Sequence, residues 1–301
     1  MFNFEKGCIL EDKDFDIDAR KPLIDGLLYT NTVSLIYSKP KTGKTWIGYA
    51  TAKAITDRVK MIYFIDMDNG ISELKERSVD KHLMAHSKIR YMSRAKISCS
   101  PIEKLREIAK EAKPGAFKDI VFFLDTTKDF IDTDSKSQSE EFMKITMDMR
   151  DAGATVIIFH HATKTGKTIS GVQVFINTPD VVLEAKKKAK VGNELSFIME
   201  PTHARFLMKE KGIKVNTETL ELNALDEIFA TMSEYEEEFV RKAMDSLKKN
   251  KMGMHQTALL NNIGFEKTDK TARDTLDKFV DRFWNKHQES KGKPINYTLI
   301  Q

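Results

Sequence analysis

The residues best suited to chemistry in this sequence form one short run, Ser38-Lys39-Pro40-Lys41-Thr42-Gly43-Lys44-Thr45, followed by Trp46. The run has the spacing of a phosphate-binding loop, with serine at the position of the first glycine. In such a loop, backbone N–H groups and the amino terminus of the next helix converge on phosphate oxygens, and the helix dipole adds partial positive charge. Lys44 is then expected to reach the β- and γ-phosphates of ATP, and Thr45 to hold Mg²⁺. Ser38 lacks the backbone freedom of glycine, which matters only if that position requires a positive φ. The natural companion is an acid closing another buried strand, where it can orient the metal; Asp125, at the end of Ile120-Val-Phe-Phe-Leu124, supplies it.

These residues need a frame. Short apolar runs rich in β-branched and aromatic residues, at 32–37, 60–65, 120–124 and 155–159, read as buried strands. Helical stretches at 46–57, 71–82, 101–113 and 138–151 alternate with them, which predicts a mostly parallel, doubly wound α/β sheet. Beyond Phe159 the candidate strands 180–183, 195–199 and 213–215 lie too close together for crossover helices, so an antiparallel extension is expected. From about residue 230 the pattern turns helical, at 235–249, 255–262 and 271–286, and ends in an extended segment from Pro294. That order predicts two domains, a core over 1–229 and a small, mostly helical, winged-helix-like module over 230–301.

Composition narrows the class. The chain has 301 residues, 31% charged and 41% hydrophobic, so it should fold. Its formal net charge of +4 is close to balance, and any case for nucleic acid must come from local patterning. Cys8 and Cys99 make neither a disulfide framework nor a zinc site. No apolar run approaches the roughly 18 residues of a membrane helix. The expectation is a soluble, cytoplasmic protein with no membrane partner.

A second Thr165-Gly166-Lys167-Thr168 also follows a strand, but the β-branched residues after it argue against a phosphate-capping helix, and it reads as a mobile basic loop. His160 and His161 point to opposite faces of their strand, which disfavours joint metal binding.

In order and spacing, these pieces resemble the RecA-type ATPases, in particular the branch of RepA-like replicative helicases of plasmids and phages. The resemblance runs from about Lys21 to Val215 and rests on Pro22-Leu-Ile-Asp-Gly-Leu-Leu28, the phosphate loop, Ile65-Asp66-Met-Asp68, Phe123-Leu-Asp125 and Phe159-His160-His161-Ala-Thr-Lys164. It implies a Mg²⁺-dependent ATPase motor on single-stranded DNA, a homo-oligomeric ring such as a hexamer, and replication partner proteins. It further implies that Asp68, or else Asp66, polarises the attacking water, and that His160 or His161 senses the γ-phosphate. The loop 162–172, with Lys164, Lys167 and Thr168, then resembles the family's DNA-contacting loop. Basic residues acting in trans would come from Lys209-Glu-Lys211-Gly212, where lysine stands at the arginine-finger position, or from Arg205. A recombination-type filament ATPase and a nucleotide-switched DNA-binding adaptor remain open beside the motor.

In the last 70 residues, Leu276, Phe279, Val280 and Phe283 fall on one helical face and leave Arg273, Lys278, Arg282 and Lys286 to solvent. This resembles a helix-turn-helix with a wing, although Asp274, Asp277 and Asp281 interleave the cations, so docking to DNA and to protein both fit.

Overall fold

The computed structural model describes residues 19–163, 168–225, 232–250, 252–288, 290 and 292–300. Its elements run β1 (Pro22–Ile24), β2 (Leu28–Tyr29), β3 (Val33–Ser38), α1 (Lys44–Ala54), β4 (Met61–Asp66), α2 (Ile71–Glu76), α3 (Val79–His82), β5 (Ile89–Ser93), α4 (Pro101–Lys110), β6 (Ile120–Asp125), α5 (Thr127–Phe130), α6 (Lys136–Asp151), β7 (Thr155–His161), α7 (Val174–Asn177), β8 (Val181–Val191), β9 (Glu194–Ala204), β10 (Lys211–Asn216) and β11 (Leu222–Ala224). There follow α8 (Glu234–Lys249), β12 (Met254–His255), α9 (Gln256–Asn262), α10 (Lys270–Lys278), β13 (Trp284–His287) and β14 (Asn296–Leu299). By its contacts the chain falls into two compact units: Met1–Ala185 with Met199–Glu210 and Thr219–Glu221, and Lys186–Ile198 with Lys211–Glu218 and Leu222–Gln301.

Among the described residues, the large sheet has the order β11-β10-β9-β8-β3-β7-β6-β4-β5. Strands β8, β3, β7, β6, β4 and β5 pair in parallel, with Leu35 beside both Ile158 and Val182 and with Asp66 beside Asp125. The expected α/β class with a mostly parallel central sheet holds, and the loop-bearing strand β3 and the acid-ended strand β6 flank β7. Helices cover both faces of the parallel strands, and so these strands read as continuous apolar runs; every residue of β3 is buried. One core layer joins Leu35, Leu124, Val156 and Ile158 to Phe142, Met143 and Met149 of α6. On α1, a Cβ at Gly48 would lie 2.8 Å from the Phe159 ring, so the absence of a side chain lets this helix approach β7 closely.

Four local expectations need correction. The start of β8, expected within the antiparallel extension, pairs in parallel with β3, because the chain between β7 and β8, residues 162–180, is long enough to cross over; β9 follows β8 after two residues and opens the extension instead. β10 and β11 are antiparallel. The helix expected at 71–82 breaks at Ser78, which has a φ of 52°. Strand β5 was not foreseen: its sequence, Ile89-Arg-Tyr-Met-Ser93, is only partly apolar because it is the edge of the sheet. The last helix stops at Lys278 instead of Lys286. There Trp284 turns inward to donate from Nε1 to the Leu276 carbonyl at 2.9 Å, and Asp281 takes a φ of 61°.

The second unit has its own apolar centre, in which Phe239, Leu247, Leu260, Leu276, Phe279, Trp284 and Tyr297 are buried. Its small sheet has the order β12-β14-β13. Helix α8 begins with a reciprocal cap: Ser233 Oγ accepts from Glu236 N at 3.2 Å, and Glu236 Oε2 accepts from Ser233 N at 2.8 Å. Asp269 Oδ1 caps α10 through Ala272 N at 2.9 Å.

Candidate nucleotide site

Parallel strands end on the same edge, and the sequence puts a polar group at each of these ends. Ser38 closes β3, Asp66 closes β4, Asp125 closes β6 and His161 closes β7. The loop from Lys39 to Gly43 joins β3 to α1; Lys39, Pro40 and Lys41 are exposed, while Thr42 and Gly43 are half-buried. Thr42 Oγ1 donates to the Lys39 carbonyl at 2.8 Å and ties the turn. The left-handed positions are Lys41, φ 62°, and Gly43, φ 114°. Ser38 belongs to β3 and has no positive φ, so serine meets no backbone penalty there.

Lys44 is buried. Its ammonium lies 3.2 Å from Ser38 Oγ, 3.4 Å from the Ser38 carbonyl and 3.3 Å from His161 Nδ1. Desolvation lowers its pKa to about 8, against the opposing pull of Asp125 and Asp68. The serine that replaces glycine thus provides an acceptor for the lysine.

Thr45 Oγ1 donates to Asp125 Oδ2 at 2.9 Å. Asp125 is fully buried, and its other oxygen, Oδ1, has no hydrogen-bond partner. Burial, and then the neighbouring Asp66 charge, push its pKa up to about 7. A hydroxyl, a desolvated carboxylate and an unsatisfied oxygen are the donor set of a hard divalent cation that completes its shell with phosphate and water. The residues therefore fit Mg²⁺. Among the described residues, no three His, Cys, Asp or Glu side chains gather to hold a metal alone.

Asp66 and Asp68 have separate fates. Asp66 is fully buried and saturated: Oδ1 accepts from the backbone N–H groups of Asp68 and Asn69, each at 3.0 Å, and Oδ2 accepts from Asn69 Nδ2 at 2.9 Å and from the Tyr91 hydroxyl. The Tyr49 hydroxyl joins at 3.4 Å, and burial drives the pKa values of both tyrosines up. Such a carboxylate holds a turn in place and has little left to offer a water molecule. Asp68 is partly exposed and pairs with Lys128 at 3.4 Å.

The two histidines part as strand geometry requires. His161 contacts Lys44. His160 is buried, with Nε2 donating to the Ser170 carbonyl at 2.8 Å and its ring 4.6 Å from Phe175. Burial first, and then the Lys44 charge, lower the pKa of His161 to about 4; burial, partly offset by the Ser170 bond, does the same for His160. Both are therefore neutral near pH 7. His160 Nδ1 and His161 Nε2 are buried without a partner.

The remaining expected residues spread out. Trp46 is half-buried, with the Arg77 guanidinium 5.6 Å from its ring centroid. Lys164 and Lys167 lie outside the described residues; Thr168 is exposed, and its carbonyl accepts from Thr163 N at 2.8 Å. Arg205 is held within its own chain, by the Thr178 carbonyl at 3.1 Å and by Asp180 at 4.0 Å. Lys209 is exposed in the turn before β10, which Lys211 opens. In the second unit, Arg273 and Arg282 are exposed, Arg282 in the turn after α10, and Lys278 pairs with Glu236. Residues that the sequence did not flag are Asn69, Tyr91 and Lys128. Only the register of β4 with β5 and β6 brings them to this edge.

No family model matches this sequence, and no curated protein matches it. Among solved structures, it is similar to one described as the ATPase domain of G40P, with a TM-score of 0.45 and 14% identity over 66% of this chain and 86% of that chain. Among the described residues, no helix is long and apolar enough to cross a membrane.

Proposed function

We propose that this chain is a Mg²⁺-dependent ATPase that assembles as a homo-oligomeric ring and moves on single-stranded DNA, in the manner of RepA-like replicative helicases of mobile elements. The observation that carries the reading is the 2.9 Å contact of Thr45 with Asp125, beside the buried Lys44, with Asp125 Oδ1 left open. Thr45 and Asp125 would hold the magnesium ion, which would supply neutralisation of phosphate charge.

The chain's own groups do the rest by position and electrostatics. Lys44 leaves Ser38 and His161 for phosphate oxygens, and little solvent competes for it. Asp68, free of the bonds that saturate Asp66, orients the attacking water. His161, in contact with Lys44, registers whether the phosphate is present, and its neighbour His160 links that strand to the Ser170 carbonyl. In this reading Lys164, Lys167 and Thr168 track the DNA backbone. The order helix, strand, helix, helix, strand, strand in residues 234–299 supports a winged-helix-like module with Arg273, Lys278 and Arg282 as its DNA-facing cations.

The test is ATP hydrolysis titrated with single-stranded DNA at two salt concentrations. The motor reading expects stimulation that weakens with salt. A flat response leaves an ATPase but removes the motor. One observation favours a second reading, a slow nucleotide switch: Arg205, the arginine available to complete a neighbour's site, is held by its own chain. That reading expects slow hydrolysis indifferent to DNA.

A further inference from the structure

One cation stands at the site edge that the phosphate loop does not supply. Lys128 is the third residue after Asp125, and its ammonium lies 3.4 Å from Asp68. Strand register explains the meeting. β4 and β6 place Asp66 opposite Asp125, and Met67 N donates to the Asp125 carbonyl at 2.7 Å, so the residues just past each strand emerge together. Lys128 projects from a fixed turn, because Thr127 and Phe130 on either side are buried and Thr127 Oγ1 donates to the Phe159 carbonyl at 3.1 Å.

Both members of the ion pair are about half exposed, with side-chain accessibilities of 48% and 40%. Pairs this wet are weak and yield to a better anion. A triphosphate tail held at Lys44 and Thr45 is such an anion, with more charge and more acceptor oxygens than one carboxylate. The Lys128 charge already reaches the site, as one of the influences that lower the pKa values of Lys44 and His161.

We propose that Lys128 is a second cation for the terminal phosphate, given by the same chain, and that it exchanges Asp68 for that phosphate when a triphosphate enters. The exchange frees Asp68 to face water only when the γ-phosphate is present. A diphosphate leaves Lys128 on Asp68, so Lys128 discriminates triphosphate from diphosphate. This assignment rests on the ATPase reading above.

Calorimetric titration with a non-hydrolysable ATP analogue and with ADP, each with Mg²⁺, tests it in wild type, Lys44→Ala, Lys128→Ala, Lys128→Arg, Asp68→Asn and the Asp68→Asn/Lys128→Ala double variant. Loss of a charge-assisted contact should weaken the triphosphate analogue about tenfold in Lys128→Ala while ADP stays within about twofold. Lys128→Arg should restore most of the difference, and the loss should persist when Asp68→Asn is the background. Equal losses for both nucleotides, no loss, or a loss that vanishes in the Asp68→Asn background would each overturn the assignment; the last would make Lys128 only a neutraliser of Asp68. If wild type binds and Lys44→Ala does not, yet Lys128→Ala behaves as wild type, the Lys128 assignment alone falls. If wild type binds neither nucleotide, the ATPase reading falls and Lys128 with it.

Discussion

The edge formed by the ends of β3, β4, β6 and β7 and the apolar centre of the second unit treat polar groups differently. At the edge, ionisable side chains are buried and partly unsatisfied: Asp125 Oδ1, His160 Nδ1 and His161 Nε2 account for three of the five orphaned side-chain atoms among the described residues. In the second unit the core is aromatic and aliphatic; Lys286 pairs with Asp277 at 2.7 Å on the surface, and the buried Glu237 is paired with Arg241 at 2.8 Å through Oε1 while its Oε2 has no partner. The first region gathers desolvated ionisable groups whose polar atoms lack partners within the chain. The second unit holds one such atom, Glu237 Oε2, among the described residues. A region whose groups lack partners is where a ligand has most to contribute.

That contrast can be broken by substitution. Lys44→Ala should reduce ATP hydrolysis by about a thousandfold or more, because positioning and electrostatics are the whole of this catalysis. The same change should leave thermal stability unchanged or raised, since it removes a desolvated ammonium. A large drop in melting temperature would show that Lys44 is part of the scaffold. Trp284→Ala should do the reverse, costing about 3–5 kcal/mol in denaturant unfolding through a cavity and an unpaired Leu276 carbonyl. A loss under about 1 kcal/mol would mean that the second unit is not packed around this ring.

Acid should sharpen the comparison. His160 has a folded-state pKa of about 4 against an ordinary 6.5. Its neutral burial is therefore fully tolerated above pH 6.5, and stability is lost as pH falls toward 4, where the unfolded chain takes up a proton that the folded chain refuses. The loss approaches about 3 kcal/mol over that window. His160→Gln should reduce the slope of the stability profile in this window, measured by denaturant melts, and His161, with its own pKa of about 4, should keep the remainder. An unchanged slope would place the titration elsewhere. Smallest of all, Lys278→Ala should shift stability by under about 1 kcal/mol, as an exposed pair with Glu236 allows; a larger shift in a thermal melt would show that surface charge does more in the second unit than its core packing implies.

How far the sequence spoke for itself differs in the same way between elements. β3, β6 and β7 were legible because strands buried on both faces spell continuous apolar runs, and the phosphate loop was legible because its spacing is local. β5 was not: as an edge strand it mixes Arg90 and Tyr91 with apolar residues. The last helix was read too long because Phe279, Val280 and Phe283 keep helical spacing after the backbone has turned, and only the inward Trp284 shows why it stops. The sequence resemblance puts Asp68 ahead of Asp66 but gives no physical reason to exclude the second; the donors from Asn69 and Tyr91 that saturate Asp66 supply one. Lys128 lies 60 positions from Asp68, and no local pattern joins residues that meet only through strand register.

The bare α-carbon of Gly48 links these parts mechanically. The helix that begins at Lys44 rests there on the ring of Phe159, whose next two residues are His160 and His161. A methyl group at that point would act as a wedge, tilting the helix off the strand and stretching the span from ammonium to imidazole without altering either group. The contact between Lys44 and His161 would then lengthen while the groups on either side of it keep their chemistry.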